Sequence, residues 1–208
     1  MTLTTDISNH FDHHAPNYDN FLTSYIGERE LRLIRPLIPP QSTVLDFGCG
    51  TGRTTIDLLK RGCRVTAFDI SHEMISLAIN RATRLGFSAE FTTSIDQLSG
   101  RTWPVVTCIG VLDYYPDPAP LLRQLCTYLE PNGRLVVTVP NAKSLLGWLY
   151  GLGSRLRLRV TPQSAANLRA AADRASIQVN SLAYAFPTYR PLALTLVVEL
   201  SVPAQAAG

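Results

Sequence analysis

From residue 43 onward the chain alternates between two apolar patterns. Short apolar runs, Thr43 to Phe47, Arg64 to Phe68, Ala89 to Thr93, Val105 to Ile109 and Arg134 to Val139, have the length and side-chain types of buried strands. Stretches of helical period lie between them. Ser71 caps one, in which Met74, Ile75, Ala78, Ile79, Ala82 and Leu85 recur every three or four positions and Glu73 sits in the first turn. After the Pro116-Asp-Pro118 break a second runs from Ala119 to about Leu129 on Leu121, Leu122, Leu125 and Leu129, and Glu130-Pro-Asn-Gly133 then turns the chain into the fifth strand. Upstream, a helical pattern follows Pro16-Asn17, puts Phe21, Tyr25, Leu31, Ile34 and Ile38 on recurring faces, and is broken by Pro36, Pro39 and Pro40. Downstream, Thr161-Pro162 reads as a cap and first helical position of a helix to about Ser176. Ile177 to Ala185 and Leu192 to Leu200 read as closing strands, the latter also compatible with a short apolar helix.

Strand-helix-strand alternation with short apolar strands predicts an α/β fold, a Rossmann-like parallel sheet with helices on both faces. The length of 208 residues suits one domain in three parts: an N-terminal helical part over 1–40, a strand-helix core over 41–140, and a connection with closing strands over 141–208. A composition of 46% hydrophobic and 17% charged residues excludes a largely disordered chain. The start carries no basic stretch followed by an apolar core, and no run approaches the roughly 18 apolar residues of a membrane span, so a cytoplasmic location is expected. Cys49, Cys63, Cys108 and Cys126 form no Cys-x-x-Cys pair and are expected as free, mostly buried thiols. His10, Asp12, His13 and His14 cluster in a polar stretch without a second ligand group, and no metal is expected. The modest net charge of +3 hides a split: residues 1–131 hold 11 basic and 14 acidic groups, net −3, and residues 132–208 hold 8 and 2, net +6.

The chemistry concentrates between the first strand and the next helix, in Asp46-Phe-Gly48-Cys-Gly50-Thr-Gly52. Glycines there let the backbone turn tightly and come close to a ligand, and the helix start offers free N–H groups. The spacing is not the dinucleotide fingerprint, because Arg53 stands where a third small residue belongs, and no Gly-Lys-Ser/Thr follows to make a P-loop. Asp69 ends the second strand 21 residues after Gly48. A carboxylate at that place can accept hydrogen bonds from both ribose hydroxyls of an adenosine; the alternative is an acid that only starts the helix beside Ser71.

The glycine stretch, then Phe68-Asp69-Ile70-Ser71, then Gly110-Val-Leu-Asp-Tyr-Tyr115, then Leu129-Glu-Pro-Asn-Gly133 resemble the class I S-adenosylmethionine-dependent methyltransferases over roughly residues 10 to 185. Phe11-Asp-His-His-Ala15-Pro-Asn-Tyr18-Asp19 further resembles the N-terminal element of the ubiquinone and menaquinone biosynthesis type. The resemblance implies a seven-stranded, mostly parallel sheet whose last strand is antiparallel, with S-adenosylmethionine as cofactor. It implies that Gly48, Gly50 and Gly52 let the methionine end pass with Asp46 near its amino group. Asp69 would hold the ribose, Ile70 and Met74 would pack on the adenine, and Gly110 would offer a carbonyl to the amino group. For the adenine amine the sequence departs from the family, with Ser94 at the matching place and Asp96 two residues on as the alternative, and Ile95 between them is also expected at the cofactor.

Methyl transfer from a sulfonium to a small, partly apolar metabolite by in-line displacement is the expected reaction, and a non-catalytic cofactor-binding partner or regulator is the alternative. Asp113, Tyr18 and His14 are the candidate catalytic residues, with Tyr114, Tyr115, His10 and His13 beside them; Asp113 reads either as acceptor-orienting or as solvated, and Tyr18 as a lid residue or a packing anchor. Residues 144–159 place Leu145, Leu149, Leu152 and Leu156 on one face near Trp148, with Arg155, Arg157 and Arg159 following. That segment reads as a lid over the acceptor or as a peripheral membrane contact. Nucleic acid is not the expected acceptor, because Gly110-Val-Leu-Asp113 lacks the Asn/Asp-Pro-Pro-aromatic arrangement of enzymes that hold a flipped base.

Overall fold

The computed structural model describes residue 12 and residues 21–145, 160–185 and 192–203. Among the described residues, seven strands form one sheet in the order β3-β2-β1-β4-β5-β7-β6, with five α-helices. The elements are α1 (Phe21–Ile34), β1 (Thr43–Phe47), α2 (Arg53–Lys60), β2 (Arg64–Phe68), α3 (His72–Arg84), β3 (Glu90–Thr92), β4 (Trp103–Ile109), α4 (Ala119–Cys126), β5 (Leu129–Pro140), α5 (Ala165–Arg174), β6 (Gln178–Ala185) and β7 (Thr195–Ser201). β7 runs antiparallel to both β5 and β6. This is the Rossmann-like fold of the class I methyltransferases. The chain divides into two compact units, residues 1–99 and 100–208.

In the first unit β1 and β2 pair in parallel with Asp46 opposite Ala67 and Phe47 opposite Phe68, whose rings lie 4.8 Å apart. Both strands match the predicted bounds, because each is a continuous apolar run that the sheet buries. β3 is shorter than the predicted 89–93. Ser71 caps α3 as predicted, its hydroxyl accepting the Met74 N–H at 3.1 Å, and Gly86 (φ +74°) follows the last turn. The helix buries Met74, Ile75, Ala78 and Ala82; Ile79 (42% exposed) and Leu85 (49%) lie outside that stripe. In α1 the same correction applies to Tyr25, which is exposed beneath the Arg29 guanidinium, while Leu31, Ile34 and the following Ile38 are buried.

In the second unit β4 starts at Trp103, two residues before its predicted start, and its register with β5 shifts between Trp103 and Val105. Trp103 pairs with Leu129 and Val105 with Arg134, so Glu130–Gly133 is an excursion inside β5 rather than a turn ahead of it. Leu129 is therefore the first residue of a strand, and α4 ends at Cys126. The helix predicted from Thr161 starts later: Ser164 is the cap, its hydroxyl accepting the Asn167 N–H at 3.0 Å. The last apolar run is a strand, with Leu196, Val197, Val198 and Leu200 all within 1% of full burial because β7 lies between β5 and β6. The four cysteines are free, three buried and Cys126 half-buried.

Leu45 of the first apolar run and Leu85 of the helical period differ in burial, at 0% and 49% exposure. Leu45→Ala, at a fully buried site in β1, is expected to cost about 2 to 5 kcal/mol of stability, and Leu85→Ala about 0.5 kcal/mol or less. Urea unfolding of the two variants checks this.

Candidate functional site

The glycine loop is held from below by one carbonyl. Phe68 O accepts the Gly48 N–H at 2.7 Å and the Cys49 N–H at 2.9 Å, which joins the end of β1 to the end of β2. Gly50 (φ +54°) has open space where a side chain would project, and Gly52 (φ +83°) starts α2 against Ala78, whose Cβ a substituted residue would meet at 3.0 Å. Gly48 also has positive φ, +74°. Arg81 of α3 reaches Thr51 O at 3.4 Å and Thr51 Oγ1 at 3.5 Å, and Thr55 of α2 donates its hydroxyl to Asp46 Oδ2 at 2.6 Å. Asp46 is 1% exposed and lies under the loop.

Asp69 carries the site's central geometry. Its Oδ2 accepts the Gly50 N–H at 2.8 Å and its Oδ1 the Ser71 N–H at 3.0 Å. Asp69 thus starts the helix and also reaches the glycine loop, joining the two readings that its sequence position left open. Burial pushes its carboxyl above the usual aspartate range; the two N–H bonds oppose that, and the charges of Asp46 and Asp12 add to it. Burial, and then the same Asp46 and Asp69 charges, likewise push up the Cys49 thiol. Each Asp69 oxygen keeps a lone pair beyond its N–H partner, which is what two vicinal hydroxyls of a ribose require. The glycine cradle and this carboxylate fit the cofactor that the sequence implies.

Around them Met74 is buried at 1% exposure and Ile70 is half-buried. Ser94 is half-buried at the start of a single 3-10 turn, its N–H donating to Thr92 Oγ1 at 3.0 Å, whereas Ile95 and Asp96 are exposed. In the second unit Gly110 (φ +69°) is exposed, and its N–H donates to Thr138 Oγ1 at 3.0 Å. Asp113 is 2% exposed, so the solvated reading fails; its carbonyl accepts the Thr161 N–H at 2.6 Å. Tyr114 and Tyr115 are half-buried, and burial raises the Tyr115 phenol. Tyr18, His10, His13 and His14, and residues 146–159 of the expected lid, lie outside the described residues. Among the described residues no group of His, Cys, Asp and Glu side chains is arranged to hold a metal ion, and no helix is long and apolar enough to cross a membrane.

Thr55, Arg81, Thr138, Arg53 and Asp12 were not foreseen in these roles. Arg53 pairs with Glu30 at 3.5 Å and its guanidinium lies against the backbone of Gly27, fastening α1 to the start of α2. Its place directly after Gly52 was the only signal available.

The chain matches the family model described as a methyltransferase domain over residues 14–182. It belongs to the S-adenosylmethionine-dependent methyltransferases. Among curated proteins it is similar to the ubiquinone biosynthesis O-methyltransferase of Aeromonas salmonicida, at 27% identity over 124 residues, covering 58% of this chain and 52% of that protein. The counterpart in Yersinia enterocolitica is 29% identical over 58% of this chain and 51% of its own length. The chain thus spans about half the length of the curated relatives it matches. In fold it is similar to the magnesium protoporphyrin IX methyltransferase of Synechocystis solved with bound S-adenosylhomocysteine, with a TM-score of 0.72 and 19% identity over 96% of this chain and 99% of that one.

The raised Asp69 carboxyl has opposite consequences for binding and for folding. With a ribose held on Asp69, protonation would put a donor where an acceptor is needed, so affinity for S-adenosylmethionine would be full above the raised value and fall as pH drops through it. For folding, the cost of the buried charge is absent below the ordinary aspartate value and appears as pH rises through the raised one. Titration calorimetry at stepwise lower pH should show the affinity falling before the ordinary aspartate pKa of about 4 is reached; an affinity that holds down to that value contradicts it.

Proposed function

We propose that this methyltransferase domain transfers a methyl group from S-adenosylmethionine to a small, partly apolar metabolite. When bound, the cofactor supplies an electrophilic methyl on a sulfonium, and its transfer is an in-line displacement. The observation that carries the cofactor half of this reading is the Asp69 carboxylate, fixed by Gly50 and Ser71 N–H groups beside a glycine cradle, in a chain of this family. Asp69 would hold the ribose, Gly48, Gly50 and Gly52 would admit the methionine end, and Met74 and Ile70 would offer the adenine an apolar surface. Gly110 would present its carbonyl, and Ser94, Ile95 or Asp96 would face the adenine edge.

The small-molecule acceptor is supported by the relatives that act in ubiquinone biosynthesis and by the absence from Gly110–Asp113 of a flipped-base arrangement. Holding two reactants in line contributes about 7 to 11 kcal/mol, against about 3 to 5 kcal/mol for a general base, so positioning is the protein's larger task. Asp113 is the proposed acceptor-orienting group, because its carboxylate is buried just after β4 and the Thr161 N–H pins its backbone. Tyr18 and His14 remain proposed contributors from the N-terminal segment, residues 1–40 its proposed lid.

Asp69→Ala is expected to abolish S-adenosylmethionine binding by calorimetry, and His13→Ala to spare it. Incubation with methyl-labelled cofactor and a metabolite extract should place label in a small-molecule fraction. Binding without turnover would favour the non-catalytic partner instead. With the labelled acceptor in hand, Asp113→Asn is expected to slow turnover about 100-fold or more while cofactor affinity stays unchanged.

A further inference from the structure

Asp12, far from the glycine loop in sequence, is hydrogen-bonded into the same network. Its Oδ1 accepts the Ser71 hydroxyl at 2.5 Å and the Glu73 backbone N–H at 3.3 Å. Ser71 is fully buried; its oxygen accepts the Met74 N–H, and its own N–H donates to Asp69 Oδ1. Asp69 Oδ2 in turn holds the Gly50 N–H. A continuous path therefore runs from Asp12 through Ser71 and Asp69 to the glycine loop.

A hydroxyl has one proton to place. With that proton directed at Asp12, the Ser71 oxygen presents a lone pair to Met74 and the cap of α3 is set. Without Asp12 the Ser71 hydroxyl, in a part-buried bond, and the exposed Glu73 N–H, one of the first-turn donors of the helix, turn to water, which satisfies them but holds neither in place. The Met74 bond alone suffices to cap the helix. The two additional bonds fall on residues two and four positions after Asp69, where they fix the segment that aims its carboxylate.

We propose that Asp12 is a positioning residue of the cofactor site, holding Ser71 and the start of α3 so that Asp69 presents its carboxylate to the ribose. The proposal rests on the reading of Asp69 as the ribose-binding group. Both bonds made by Asp12 fall on one oxygen, so an amide oxygen can replace it. Asp12→Asn keeps that acceptor and removes a negative charge that acts on Asp69.

The test is titration calorimetry with S-adenosylmethionine on Asp12→Ala, Asp12→Asn and Asp69→Ala, with the thermal midpoint of each protein measured without ligand. Asp12→Ala should bind about 5 to 20-fold more weakly, the effect of one to two net hydrogen bonds, with its midpoint close to that of the unaltered protein. Asp12→Asn should bind within about 2-fold of the unaltered protein, rescued by the retained acceptor. Unchanged binding in Asp12→Ala, equal loss in Asp12→Ala and Asp12→Asn, or an Asp12→Ala protein whose folding is weakened as much as its binding would overturn the proposal. Unchanged binding in Asp69→Ala would instead overturn the ribose-binding reading itself.

Discussion

A carboxylate taken out of water needs donors, and those that Asp69 finds are backbone N–H groups of the two segments it has to align. Gly50 supplies one from the glycine loop and Ser71 the other from the start of α3. The bond to Gly50 ties the carboxylate to the loop, and the bond to Ser71 ties it to the helix. Burial makes the charge costly, and the two N–H groups recover part of that cost, which leaves the group above its ordinary pKa yet well supplied with partners. Other contacts complete the first unit's site. Gly52 lies close against Ala78, Arg81 holds Thr51, and Phe68 O gathers the two N–H groups at the loop's start.

Much of this was legible because it is local. β1 and β2 are continuous apolar runs between breakers, and their bounds follow directly from the sequence. The Ser71 cap, the glycine spacing and Asp69 are short-range signals of the same kind. What escaped depends on partners distant in sequence. Periodicity placed Tyr25, Ile79 and Leu85 on core faces, but how wide a stripe the neighbouring elements cover is not written in a helix's own sequence. Leu129 fits the α4 pattern equally well, and only its pairing with Trp103 makes it a strand residue. Thr161-Pro162 has the chemistry of a helix start, yet the Thr161 N–H is taken by the Asp113 carbonyl and Ser164 becomes the cap. Thr55, Arg81, Thr138 and Asp12 are ordinary residue types whose roles come from bonds spanning 9 to 59 positions.

Of the 19 basic residues 17 are arginines, and the first unit gives part of that preference a physical account. Arg35 bonds Asp57 and Glu28 together, Arg61 reaches the Ile38 carbonyl, and Arg53 and Arg81 brace the two sides of the glycine loop. A planar fork with five donors can bridge two partners, which a lysine does less well. In the second unit Arg174 does similar work with Asp117, while Arg123 donates to the Arg174 carbonyl. The charge split thus separates an acidic portion that carries Asp46, Asp69 and Asp113 from a basic portion proposed to meet the acceptor.

The Asp69 carboxylate, with its Gly50 and Ser71 N–H partners, is the proposed seat of the cofactor's ribose. Amide NMR of isotope-labelled protein titrated with S-adenosylhomocysteine tests it most directly. The Gly50 and Ser71 resonances should move together and saturably with added ligand, in step with those of Gly48 and Gly52. Saturable binding that leaves Gly50 and Ser71 in place while other amides move would contradict it.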